Sequence, residues 1–277
     1  MGEKINKFVI KLPTLEEIEQ MKMDAYERAK QNKVNMSYWL PFIEDLGFNI
    51  PETIIIPLDR ERFNWLRSDS YSSVAINEFT EFLKSEIQKH NFDTNRKLFI
   101  KSGIFSNKFN FRTCKVDDID RIGKQFLELY YASMIFGADN TAELVVREFI
   151  ESEESKGKIY EGMPLNTEFR VFYDFDNFEV MGIFNYWDTE VMFNHLSGKD
   201  LLVFKEKYKE IEEDYEKSKE LVLEEVSTKL KYCKLKGKWS IDFMKAYDKL
   251  YLIDMALAEQ SYYYNKLLKV RENNVNS

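Results

Sequence analysis

Histidine and cysteine are nearly missing from this chain. His90 and His195 stand far apart, and Cys114 and Cys233 share no metal-type or redox-type spacing. That argues against a histidine-built metal centre. It argues equally against Ser-His-Asp or Cys-His nucleophiles, because no nucleophile motif lies near either histidine. Two unpatterned cysteines fit a reducing compartment. Positive charge is also short. Lys and Arg number 40 against 48 Asp and Glu, a net charge of -8, which speaks against broad nucleic-acid binding while leaving room for a local basic groove. No apolar run is long enough to cross a membrane, and the opening residues MGEKINKFVIKLPT hold no apolar signal core. Gly2 follows Met1, but Asn6 stands where a myristoylation motif has Ser or Thr. These absences lead to the expectation of a cytoplasmic protein without membrane contact.

What is present is a globular composition: 44% hydrophobic, 32% charged and 15% aromatic residues over 277 positions, enough for one large or two modest domains with a Phe- and Tyr-rich core. Thr14-Leu15-Glu16-Glu17 has capping-box spacing, and Leu15, Ile18, Met21 and Ala25 follow at helical period, which predicts a helix over 14–32. A short apolar helix then stops at Gly47, before a strand at Thr53–Ile56. Ala75, Phe79, Phe82, Leu83 and Ile87 mark another helix. This alternation over residues 1–95 is an α/β signature and suggests an N-terminal α/β region ahead of residues 96–277.

Leu98-Phe99-Ile100 reads as a strand ending in Lys101. A small-residue turn follows at Ser102-Gly103, then a loop with Ser106, Asn107 and Lys108, and the chain turns apolar again at Phe109 and Phe111. Lysines are common at strand ends and on hairpin loops. The same pair could also clamp an anion, such as a phosphate, over the hairpin. Ile119, Ile122, Phe126, Leu129 and Tyr130 give a helix, and strands follow at 143–151, 166–175 and 178–187, the last two joined by an Asp176-Asn177 turn. From Lys199 to Lys234 the chain is charged and helical, with no assigned chemistry. Two late strands flank an Asp248-Lys249 turn, and a helix closes the chain.

Several polar groups interrupt these apolar elements. The strand VVREFIE carries Arg147 and Glu148 and runs on to Glu151, Glu153 and Glu154; another carries Glu168-Phe169-Arg170. Alternation puts Glu168 and Arg170 on one face, where they could form a salt bridge. Asp242 and Asp254 sit on the two late strands, placed to share a face. Two such carboxylates repel unless paired or bridged by a cation, and Mg²⁺ with a nucleotide is a common bridge.

Taken in order, these elements resemble the ATP-grasp superfamily from about residue 50 onward, nearest the branch of cell-division-cycle protein 123 and its bacterial and phage relatives. The resemblance implies two α/β lobes with the nucleotide between antiparallel sheets and a helical insertion at about 199–235. It implies ATP and Mg²⁺. Lys101 would reach the α- and β-phosphates, and Ser106 and Lys108 would form the loop over them. Glu148, Phe149 and Ile150 would read the adenine edge through backbone groups, and Glu151, Glu153 or Glu154 would hold the ribose. Arg147 and Arg170 would lie at the nucleotide, Arg170 on the γ-phosphate. Asp242 and Asp254 would hold the metal. One departure stands out: Ala256 occupies the position where these enzymes carry an asparagine two residues after the last acidic ligand. Glu259 or Gln260 would have to replace it. The implied function is a carboxylate–amine ligase that acts through an acyl phosphate on a peptide or protein. The alternative is an ATP-binding assembly factor that grips a partner protein without turnover.

Overall fold

The structure, a computed structural model, describes residues 23–68 and 71–275. The first nine residues of the helix expected over 14–32, with its capping box, lie outside the described residues. Its remainder contains α1 (Ala25–Lys30), whose first turn is capped by the Asp24 side chain accepting from the Glu27 amide at 3.0 Å. After α2 (Met36–Trp39) the chain makes two 3₁₀ turns and stops at Gly47, where φ of +79° suits a residue without Cβ.

The first sheet contains β1 (Thr53–Pro57), β2 (Leu98–Ser102), β3 (Lys115–Val116) and β4 (Glu143–Glu148), in the order β1-β4-β2-β3, with every pair antiparallel. Because β1 pairs with β4, the segment before residue 96 is joined to the one after it by a continuous ladder. Helices α3 (Arg60–Leu66), α4 (Ser73–Lys89) and α5 (Ile122–Ile135) cover one face. Leu98, Ile100, Leu144 and Val146 pack there against Leu83 and Phe126.

Two elements differ from the sequence reading. The return through Phe109 and Phe111 is a 3₁₀ segment (Lys108–Thr113), and the returning strand is β3, because Phe111 and Cys114 bury into a separate cluster instead of alternating on the sheet. Strand β4 ends at Glu148 rather than 151, where its neighbours end too: Arg147 faces Thr53, and Glu148 faces Leu98.

The hairpin β5 (Lys158–Ile159) and β6 (Met163–Pro164) leads into the second sheet, built from β7 (Thr167–Asp174), β8 (Glu179–Asn185), β9 (Lys238–Ala246) and β10 (Lys249–Leu257) in the antiparallel order β10-β9-β7-β8. The Asp174 carboxylate organises the expected turn after β7, accepting from the amides of Asp176 and Asn177 at 3.0 and 3.2 Å. Between β9 and β10 the turn is Tyr247-Asp248, one residue earlier than expected, and Lys249 already faces Ala246.

Helix α6 (Thr189–His195) precedes α7 (Gly198–Lys229), the expected charged insertion, and α8 (Tyr264–Val275) closes the chain. Only the outer face of α7 is solvated. Val222 and Val226 pack on Phe169, Val171, Ile241 and Phe243, and Asp214 accepts from Thr167 Oγ1 at 2.6 Å. Each sheet therefore buries one face under its own helices, and the period of two sends the alternate residues to the opposite face. Phe99 and Lys101 of β2, Glu168 and Arg170 of β7, and Asp242 and Met244 of β9 are those alternates. Among the described residues no helix is long and apolar enough to cross a membrane.

Candidate functional site

Those alternate residues meet around a cleft of ≈ 820 Å³, counted out to its open mouth. Lys101, on the first sheet, is 1% exposed, and its ammonium donates to Asp254 Oδ2 on the second sheet at 2.6 Å.

Asp254 reaches that position through a break in the β9–β10 ladder. Pairing is regular from Lys249↔Ala246 to Leu252↔Phe243; Asp254, not Ile253, then faces Asp242. The extra residue is a β-bulge, and it turns Asp254 onto the face of Asp242. In an uninterrupted ladder Ile253 would stand there. The Ile253 carbonyl accepts instead from Nη1 of Arg147 at 2.5 Å. Arg147, 3% exposed, also donates through Nε to Thr53 Oγ1 at 2.9 Å, and its Nη2 is buried without a partner. Burial lowers the Arg147 pKa to about 10 against the opposing pull of Asp254 and Glu148.

Arg170 and Asp242 face each other in register and form a bidentate pair, Nε to Oδ1 at 2.8 Å and Nη2 to Oδ2 at 2.6 Å. Burial works against the Arg170 charge, but Asp242 outweighs it and raises the pKa on balance. The salt bridge that alternation allowed between Arg170 and Glu168 is replaced by this pair. Glu168 is 5% exposed, its carbonyl accepts from the Tyr186 amide at 2.9 Å, and its carboxyl group has no hydrogen-bond partner among the described residues. Burial pushes its pKa up to about 7; Lys108 and Arg170 oppose the rise, and Asp242 adds to it.

Lys108 is half-buried, bonded to the Tyr186 hydroxyl and 3.5 Å from the centre of its ring, which also lies 4.8 Å from the Arg170 guanidinium. Burial alone would lower the Lys108 pKa; Tyr186, Glu168 and Asp242 raise it on balance. Ser106 lines the same cleft, as do Glu148, Phe149 and Ile150. The amides of Glu148 and Phe149 already donate to the Glu52 and Lys97 carbonyls, at 2.9 and 3.1 Å. Among the described residues, only the Ile150 amide of the three is without a hydrogen-bond partner. The Glu148 carboxylate is also occupied, accepting from the Glu52 amide and Arg96, both at 3.1 Å.

Other expected residues lie elsewhere. Glu151 pairs with Lys97 at the surface, at 2.6 Å, and Glu153 and Glu154 are exposed on the following turn. Glu259 and Gln260 are exposed on a 3₁₀ turn after β10, where the chain has left the sheet, and neither lines the cleft. Arg170 stands behind Asp242 rather than on the wall. The apolar wall adds Phe99, Met163 and Met244, which the sequence reading passed over. Phe99 and Met244 were within reach of it, each two residues from an assigned polar group. Nothing in the sequence signalled Tyr186 or the Ile253 bulge.

Among the described residues no cluster of three or more His, Cys, Asp or Glu side chains could hold a metal. Asp242 and Asp254 therefore offer a set of two carboxylates, oxygen donors only, with the Asp254 side chain 35% exposed towards solvent. That set fits Mg²⁺, which commonly takes one or two carboxylates and completes its shell with phosphates and water.

No family model and no curated protein matches the chain. Among solved structures, Cdc123 from Schizosaccharomyces pombe superposes with a TM-score of 0.51 at 16% identity, over 86% of this chain and 90% of that one. The chain shares the fold of Cdc123. Its arrangement is the one seen in Cdc123, over nearly the whole length of both. Also similar, at TM-scores of 0.37 and 0.38, are a RimK domain ATP-grasp protein from Sphaerobacter thermophilus and D-alanine–D-alanine ligase from Bacillus anthracis complexed with ATP. They are 11% and 10% identical, over 84% and 86% of this chain and 60% of each of theirs.

Proposed function

We propose that the cleft binds ATP with Mg²⁺ and that the protein is a cytoplasmic carboxylate–amine ligase acting on a peptide or protein. One observation carries the reading: Lys101 and Lys108 line the cleft with Asp242 and Asp254 where the two sheets face each other, and Arg170 backs Asp242. Buried and half-buried cations gathered around one cleft suit a polyphosphate.

The adenine would enter the apolar part of the cleft between Phe99, Met163 and Met244, with the free Ile150 amide at its edge. Lys101 and Lys108 would take the phosphates, and the Ser106 loop would close over them. Arg170, a planar fork, suits the γ-phosphoryl group. Lys101 and Arg170 each hold a carboxylate, so both would exchange it for phosphate as the nucleotide enters. Asp242 and Asp254 would hold Mg²⁺, which when bound neutralises phosphate charge. The cations position the γ-phosphoryl group for transfer to the acceptor carboxylate, releasing ADP. An amine then attacks the acyl carbon and phosphate leaves.

A second reading, an ATP-binding assembly factor without turnover, is favoured by Ala256 in place of the asparagine and by the exposed placement of Glu259. ADP release by the purified protein, with and without candidate acids and amines, separates the two. Release that rises only when acid and amine are both present supports the ligase; tight ATP binding with no release in any mixture supports the assembly factor.

A further inference from the structure

The bulge at Ile253 has a specific holder. A bulge leaves backbone groups without ladder partners, and a buried carbonyl without a donor is costly. The Ile253 carbonyl is taken by Arg147 Nη1 from the opposite sheet at 2.5 Å. The same guanidinium is steadied by Thr53 on β1, its register partner, through Nε to Oγ1 at 2.9 Å. Its third nitrogen, Nη2, is closed off from solvent and has no partner among the described residues, although Arg147 as a whole lines the cleft. The residue after the held carbonyl is Asp254, whose Oδ1 accepts from the Met255 amide at 3.0 Å and whose Oδ2 accepts from Lys101 at 2.6 Å.

We propose that Arg147 is a positioning residue: by clamping the Ile253 carbonyl to the first sheet it fixes the β10 bulge, and so sets the Asp254 carboxylate beside Asp242. This rests on the reading of the cleft as a Mg²⁺-nucleotide site. Arg147 then acts on the nucleotide only through Asp254. A planar fork with two fixed donor directions can span the hydroxyl and the carbonyl; a lysine ammonium, a point charge on a flexible stem, holds no such pair in place.

Two readouts on Arg147→Met test this. The first needs no ligand. Amide exchange at Asp254 and Met255 should quicken at least about tenfold, because the bulge loses its anchor. The second is the ratio of ADP affinities with Mg²⁺ and with a chelator. That ratio should fall about ten- to hundredfold, the usual effect of removing a partner that orients a metal ligand. Metal-free ADP affinity should stay within about twofold, the result expected of a residue that acts through Asp254 alone. Adding Asp254→Asn to Arg147→Met should cost little further, and Arg147→Lys should not rescue. If Arg147→Met does not fold, Thr53→Val, which removes only the Nε tether, should give the same signs at smaller size. Wild-type exchange together with a full Mg²⁺ ratio overturns the proposal. So does an equal loss of affinity with and without Mg²⁺, which would make Arg147 a direct nucleotide contact. A wild-type chain that binds no ADP under either condition instead fails the nucleotide reading, and the exchange rates alone then decide whether Arg147 holds the bulge.

Discussion

Lys101 and Asp254, 153 residues apart in the chain, are joined across the two sheets by a 2.6 Å ion pair. Arg170 holds Asp242 in the same way within the second sheet. The two aspartates lie opposite each other, yet neither faces the other's charge uncompensated. The sequence reading expected two carboxylates that repel unless paired or bridged by a cation; the structure pairs each with its own cation.

Replacing Lys101 by methionine should weaken Mg·ATP binding about ten- to hundredfold, the size of a charge-assisted contact of roughly 1.5–3 kcal/mol. Calorimetric titration measures it. A folded variant with wild-type affinity would take Lys101 out of the binding site.

Asp254→Asn should destabilise the protein alone, because it leaves the ammonium of Lys101, with its side chain 2% exposed, without a counter-charge. The loss should be about 1–3 kcal/mol in urea unfolding, moderated by the partly exposed carboxylate. Adding Lys101→Met should recover part of it, since the two effects share one interaction. A single variant as stable as the wild type would mean the pair contributes nothing to the fold.

Much of this was legible in the chain. Lys101, Asp242 and Asp254 declared themselves as charges inside apolar strands, and the period of two gave the cleft face of β2, β7 and β9. The antiparallel closure of both sheets was legible only as hairpins, because the pairing of β1 with β4 spans most of the first lobe and no local signal marks it. The bulge was invisible because periodicity counts residues, and Ile253 is an ordinary strand residue whose carbonyl, not its side chain, matters. Glu259 shows the converse. Its spacing after Asp254 made it eligible as a ligand, but β10 ends at Leu257 and the next turn points the chain away.

Glu168 should make stability fall as pH rises. Its carboxyl titrates near 7 in the folded protein, raised by burial despite Lys108 and Arg170, against about 4.5 when exposed. Below about pH 4.5 it is protonated in both states and adds nothing. Between 4.5 and 7 the unfolded chain gives up its proton first, so unfolding is increasingly favoured, and above 7 the penalty is complete, on the order of 3 kcal/mol. Glu168→Gln should therefore raise the melting temperature relative to wild type at pH 8 and change it little at pH 4.5. An equal difference at both pH values would show that Glu168 is not buried as a neutral acid.

The most direct measurement of the central claim is calorimetric titration of the purified protein with ATP, with Mg²⁺ and with a chelator, alongside Asp254→Asn. The account predicts saturable binding at one site that tightens with Mg²⁺ in the wild type and loses that tightening in the variant. A folded wild-type protein that takes up no ATP, or that binds it equally well without Mg²⁺ and without the Asp254 charge, would contradict it.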